Sequence, residues 1–357
     1  MHYSRVVSLA LALVSFIPFP AAAQVQIKVN EDVNFKFGVL GQFQGEWLED
    51  ADGDGTQQNL FLRRARLLFG GQVAKNVTFF LETDVPNLGK TLSGEKNISP
   101  QLVVQDFYGE WTLHQAFALD VGLMFVPQSR NSIQAAPSLL ALDYGSYTFG
   151  NSGPLESTIG RDTGVQAKGY LGANRAEYRI GAFQGARDDE SHRSFRYAGR
   201  LQVQLLEPEA PGFFYTGTYL GARKVAAVGG SFDSQEEYHA YDIDGFLDYP
   251  LGDGAVTLQA AWNRIDGDTT FADLPKQNVV LFETGYLIRA IKVTPVFQYT
   301  SKDVLDTDTG DESRWSIGAN YWWRGHNANV KAAYTQIDPR GAEKRNQFIV
   351  QLQFFYY

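Results

Sequence analysis

From Val33 to Leu48 the chain alternates apolar and polar side chains. Val33, Phe35, Phe37, Val39, Phe43 and Trp47 fall on one face, and Asn34, Lys36, Gln42, Gln44 and Glu46 on the other. Successive strand side chains point to opposite faces, so the segment has one greasy and one wet side. It is longer than an ordinary globular strand and long enough for the roughly 9–11 residues that cross a bilayer at a tilt. The same alternation recurs down the chain and predicts sixteen spans: 33–48, 59–74, 77–86, 102–114, 116–127, 161–171, 175–185, 194–206, 224–234, 236–250, 255–266, 276–289, 291–302, 313–324, 327–338 and 345–357. The intervening segments alternate between short turns (75–76, 114–115, 172–174, 252–254, 325–327) and long loops (49–58, 86–101, 127–160, 186–193, 267–275, 302–312), the usual asymmetry of outer-membrane barrels.

Residues 213–222 compete with 224–234 for the ninth strand. Both chain ends belong on the periplasmic side, which demands an even number of spans. The segment 213–222 is therefore read as an extended periplasmic connection. Trp47, Trp111, Trp315, Trp322 and Trp323 sit near span ends, where aromatic girdles mark the lipid–water boundary. The last strand places Phe348, Val350, Leu352, Phe354 and Tyr356 outward and ends on Tyr357, an aromatic terminus of the kind that marks barrels for assembly.

Residues 1–23 read as a secretory signal, with Arg5, an apolar core from Val6 to Phe19 and the small-residue cleavage site Ala21–Ala23. Residues 24–32 form a short periplasmic segment, and 33–357 the barrel. The mean hydropathy of −0.25 resembles that of a soluble protein, a tension resolved if only alternate strand residues face lipid. There are no cysteines, which excludes a disulfide scaffold and cysteine-based metal or redox chemistry. A net charge of −9 without a basic footprint argues against a nucleic-acid partner. The expected location is the outer membrane of a Gram-negative cell, in contact with its lipid and lipopolysaccharide.

Four segments resemble the phosphate-selective porin O/P family, in family order. They are Leu62-Arg63-Arg64-Ala65-Arg66-Leu67, Val104-Gln105-Asp106-Phe107-Tyr108, Gly160-Arg161-Asp162-Thr163-Gly164-Val165-Gln166, and Asp242-Ile243-Asp244 through Tyr249-Pro250-Leu251-Gly252. The resemblance implies an all-β, 16-stranded antiparallel transmembrane barrel with short periplasmic turns and long external loops, assembled as a homotrimer. It also implies that the third external loop, 127–160, folds inward as a constriction, which its many small and apolar residues suit. The chain departs from phosphate-specific members in lacking a lysine cluster on this loop, where Arg130 is the one basic residue, and in lacking a coiled-coil prefix.

Alternation places Lys36, Arg64, Arg66, Lys168, Arg179, Arg196 and Arg200 in the lumen; with Arg130 they form the candidate anion path. Asp106, Glu110, Asp242 and Asp244 form a candidate opposing acidic wall. Two arrangements are compatible with this set: a transverse field between oppositely charged walls, or a wet lumen of mutually neutralising pairs. Asp50, Asp52 and Asp54 resemble the first half of a calcium loop, although position twelve is Phe61 rather than glutamate; an acidic hairpin tip is the plainer reading. No cofactor is otherwise implied. No nucleophile elbow, zinc-binding helix motif or P-loop occurs. The pattern predicts passive diffusion of small hydrophilic solutes with anion preference, for phosphate or other small anions, rather than an enzyme. The alternatives are a sugar or organic-acid channel with Tyr108, Tyr170 and Trp322 as a stacking track, and a barrel that only anchors surface loops.

Overall fold

The computed structural model describes residues 26–357 except 52, 93, 100 and 308, so the expected signal segment 1–23 and Asp52 lie outside the described residues. Sixteen long strands form the wall: β1 (Asn34–Glu49), β2 (Thr56–Ala74), β3 (Val77–Asp84), β4 (Val103–His114), β5 (Phe117–Phe125), β6 (Arg161–Leu171), β7 (Ala176–Phe183), β8 (Arg196–Gln204), β9 (Val225–Gln235), β10 (Tyr238–Leu251), β11 (Gly254–Asp266), β12 (Gln277–Ile288), β13 (Val293–Val304), β14 (Glu312–Tyr321), β15 (Ala328–Pro339) and β16 (Arg345–Tyr356). Each pairs antiparallel with its sequence neighbours, and β1 pairs with β16 from Val39↔Tyr356 to Leu48↔Gln347, closing the barrel. Closure removes both sheet edges, which a chain in lipid requires because no water is present to satisfy edge groups. A short extra strand, Gln26–Lys28, pairs with the start of β1.

The sixteen-span expectation is met, with boundaries shifted by a few residues. The sides also follow the alternation: Phe37, Val39, Phe43, Leu67, Val121, Val203 and Phe354 are exposed on the outer face, whereas Leu40, Gln42, Gln44 and Glu46 are buried inside. Trp322 is a correction. It leaves the strand end, is buried at 3 % exposure and donates its indole N–H to Thr294 Oγ1 at 2.8 Å, whereas Trp47, Trp111 and Trp323 remain exposed.

Turn lengths depart from the simple asymmetry at two places. The outer connection 236–237 is short, and the inner connection 205–224 is long. The latter contains the ambiguous segment 213–222, which forms no wall strand. Its aromatic residues would be stranded in water on an extended surface connection, and instead it folds up into the barrel, burying Phe213 and Tyr215. Inside it meets the third external loop, 126–160, whose residues from Gln128 to Ala141 are nearly all buried. The two segments share a parallel bridge, with Ala135 N donating to Tyr215 O at 2.9 Å and Tyr215 N to Ile133 O at 3.1 Å. Gly217 allows this approach: a Cβ there would stand 2.6 Å from Ser138 O.

Candidate functional site

The third loop crosses the lumen because the wall offers donors to its carbonyls. Lys331 Nζ donates to Leu139 O and Ala141 O at 2.5 and 2.9 Å, Asn320 Nδ2 to Leu140 O at 2.6 Å, and Gln353 Nε2 to Pro137 O at 3.0 Å. Away from bulk water, each such bond satisfies a group whose isolation would be costly. Two short 3-10 turns, Asn131–Ile133 and Ala136–Ser138, shape the loop as it crosses.

One bulge decides the charge lining. Gln42 faces Arg64 but Phe43 faces Leu62, so Arg63 is the extra residue of β2. A bulge re-aims the side chains beside it, and here it turns Arg63 towards the lumen next to Arg64 and Arg66. Arg63 Nε and Arg64 Nη2 both donate to Asp143 of the third loop, at 2.8 and 2.6 Å. Arg66 is held by Glu82 at 2.6 Å and Asp84 at 2.9 Å. Burial alone would raise the Asp143 carboxyl, but the two guanidinium groups hold it well below the usual carboxylate range.

Above this cluster lies a cavity of about 390 Å³, lined by the basic residues Arg63, Arg64, Arg66, Lys90, Arg161 and Arg314 and the acidic residues Glu46, Asp84 and Asp143. Below it is a smaller chamber of about 150 Å³ that shares Arg66, Tyr144 and Arg161 with the first. The smaller chamber in turn shares Phe80, Phe214 and Tyr357 with a cavity of about 480 Å³ at the periplasmic mouth, where Lys36 lies. The three cavities thus follow one another along one side of the lumen, neighbouring ones sharing wall residues.

The other half of the lumen is filled. Lys168 pairs with Glu110 at 2.6 Å and Asp120 at 3.2 Å, Arg179 with Glu177 at 2.6 Å, and Arg196 with Asp233 at 2.5 Å. Arg200 pairs with Asp244 at 2.6 Å and Asp242 at 3.5 Å, and Arg161 with Asp106 at 3.2 Å. Opposite charges therefore meet within a strand or between nearby strands along the wall, not across an open lumen, and Lys168, Arg179 and Arg200 donate to the Gly212, Phe213 and Gln128 carbonyls of the two in-folded segments. Arg130 is fully buried: it donates to Glu209 and lies over the Phe246 ring at 3.8 Å. Of the eight basic residues expected along an anion path, Lys36, Arg64 and Arg66 border these three cavities.

Arg63 and Asp143 were not anticipated, since strict alternation points Arg63 outward and nothing local assigns a partner to Asp143. The aromatic track is also rearranged. Tyr108 stacks on Phe213 with ring centroids 4.2 Å apart, and the Tyr170 hydroxyl accepts from Gly212 N at 3.0 Å. Asp50 and Asp54 stay at the external hairpin after β1; among the described residues no cluster of three or more metal-binding side chains occurs.

A family model described as phosphate-selective porin O and P matches residues 33–229. No curated protein matches the chain. Among solved structures, the chain is similar to an anion-selective porin from Comamonas acidovorans, with a TM-score of 0.62 at 12 % identity over 91 % of this chain and 100 % of that one. It is similar to OmpF of Salmonella typhi in complex with daunomycin, with a TM-score of 0.62 at 13 % identity over 92 % and 100 %. The trimer form of OmpT from Vibrio cholerae gives a TM-score of 0.56 at 10 % identity over 91 % and 100 %.

Proposed function

The chain belongs to the phosphate-selective porin O and P family, and from that premise we propose that it forms a passive outer-membrane pore with a preference for small anions, phosphate among the candidates. The observation that carries this reading is the outer cavity, where Arg63, Arg64, Arg66, Lys90, Arg161 and Arg314 outnumber Glu46, Asp84 and Asp143. Guanidinium groups stay charged at any working pH and offer paired donors to phosphate or carboxylate oxygens. Within a narrow lumen with low-dielectric walls, a local excess of cations concentrates anions even though the whole protein is acidic. The Comamonas porin of similar fold is itself anion-selective, which supports the same reading. A homotrimer in contact with outer-membrane lipid and lipopolysaccharide is part of the proposal, in line with the trimer form of OmpT and with the exposed apolar outer face.

Reversal potentials across a potassium chloride gradient in planar bilayers test the proposal. Anion preference in the wild type that falls when Arg63 and Arg64 are both replaced by alanine supports it. Cation preference, or a ratio indifferent to that double substitution, refutes it.

A further inference from the structure

Building on the anion-preferring reading, we infer that the pore favours organic anions with an apolar body, of the monocarboxylate class, over fully hydroxylated or inorganic anions of the same charge. The specificity-determining residues are Phe80, Phe214 and Phe355, which line the middle chamber.

The inference follows from the order of surfaces along the route. A solute entering from outside meets the guanidinium groups first and then a chamber of about 150 Å³ walled by Leu68, Phe80, Ala136, Pro137, Phe214 and Phe355. The charged groups at its edge are already engaged: Arg66 is held by Glu82 and Asp84, and Arg161 by Asp106. Deeper in, the wall supplies little to replace the water around an inorganic ion, so a hydrated anion must shed its shell without compensation. Hydrophobic constrictions impose this barrier by dewetting. A carboxylate with an alkyl or aromatic body meets the opposite situation. Its body exchanges water for apolar contact as it crosses, which offsets part of the cost of carrying the carboxylate head past the same wall.

Ring geometry suits such a guest. Phe80 stands edge-on to Phe214, with centroids 5.5 Å apart at 71°, and edge-on to Tyr357, at 5.7 Å and 77°. These edge-to-face contacts fix the orientation of the rings that wall the chamber. The lining stays aromatic towards the exit, where Phe79 and Phe213 join the periplasmic cavity. Phe214 belongs to the in-folded inner connection and Phe355 to the wall strand β16, so two independent elements build the same chamber.

The test uses the purified full-length protein in planar bilayers under bi-ionic conditions, with potassium salts of hexanoate and gluconate, carboxylates of equal carbon number that differ in hydroxylation, and with potassium phosphate. The wild type is expected to pass hexanoate about threefold or more better than gluconate, as a few methylenes moving into apolar surroundings would produce. It should also pass hexanoate better than phosphate. Phe214→Asn and Phe355→Asn, made separately, should each bring the hexanoate-to-gluconate ratio close to one while leaving the preference for anions over potassium unchanged, because neither residue lies in the cationic mouth. A wild type that passes gluconate or phosphate as readily as hexanoate overturns the inference, as does an unchanged ratio in whichever variant folds. If neither folds, the wild-type ratios decide alone. Potassium carrying most of the wild-type current would instead overturn the anion-preferring reading itself, so the two failures are distinct.

Discussion

Arg130 and Glu209 approach from opposite ends of the barrel and meet inside it: Nη1 and Nη2 of the arginine each donate to a carboxylate oxygen at 2.8 Å, and both side chains are fully buried. The arginine belongs to the third external loop and the glutamate to the long inner connection. The pair therefore ties together the two segments that narrow the lumen. Burial works against both charges, but the partner prevails in each case: Glu209 is held below the usual carboxylate range and Arg130 above the ordinary guanidinium value. Gln202 and the Thr216 carbonyl, each accepting from the arginine at 3.2 Å, and the Tyr219 hydroxyl, donating to Glu209 at 2.6 Å, complete the network.

Removing one member of this pair should be worse than removing both. Arg130→Ala leaves a buried carboxylate uncompensated and is expected to cost about 3–5 kcal/mol, whereas a double replacement by Met at 130 and Leu at 209 should recover most of that loss. Urea unfolding of the detergent-folded barrel, followed by circular dichroism, measures both. Equal destabilisation by the single and double changes would show that the loss comes from the missing link between the two segments and not from an uncompensated buried charge.

The wall was legible in the sequence because alternation over ten or more residues leaves little freedom of side: Phe37, Phe43, Leu67 and Phe354 had to face one way and Gln42, Gln44 and Arg66 the other. The lumen was less legible. Parity allowed only one of 213–222 and 224–234 as a strand, and nothing local indicated that Phe213 and Tyr215 would turn into the barrel and stack on Tyr108 and over Arg130. The bulge at Arg63 was likewise hidden, since it becomes visible only when β1 and β2 are paired residue by residue. Ion pairs such as Arg200–Asp244 join positions far apart in the chain, and alternation carries no information about which inward charges meet.

The side assignment has its own consequence for stability. Leu67 is 62 % exposed on the outer face, so Leu67→Arg near the bilayer midplane should cost about 2–4 kcal/mol. Thr335 lines the outer cavity, and Thr335→Arg should cost far less. Unfolding midpoints in lipid or detergent compare the two. Similar losses at both positions would mean that β2 or β15 has been placed one residue out of register.

Asp143 restrains the charge of the mouth as well as the loop that carries it. Its carboxylate accepts from both Arg63 and Arg64, so Asp143→Asn should unmask two guanidinium groups while keeping a hydrogen-bonding side chain of similar size. The anion-to-cation permeability ratio should rise about twofold to fivefold at low salt and less at high salt, where screening shortens the reach of exposed charge. Reversal potentials at two ionic strengths give the answer; a ratio unchanged by the substitution would remove this cluster from the selectivity mechanism.

The acid dependence of that difference is also determined by the pair. Because Arg63 and Arg64 lower the Asp143 carboxyl well below its ordinary value, its contribution to loop docking is present above the unfolded value of about 4 and is lost only as the pH falls through the lower folded value. Protonation in moderate acid therefore should not mimic Asp143→Asn. Exposed loop carboxylates titrate alike in wild type and variant, and comparing the two cancels their effect. The wild type and Asp143→Asn should consequently keep their separation in permeability ratio from neutrality down to about pH 4, and converge only in stronger acid. Reversal potentials recorded for both proteins across that range check this. Convergence already at about pH 5 would mean that the carboxyl titrates above its ordinary value, which cannot hold if both arginines stabilise its charged form in the working pore.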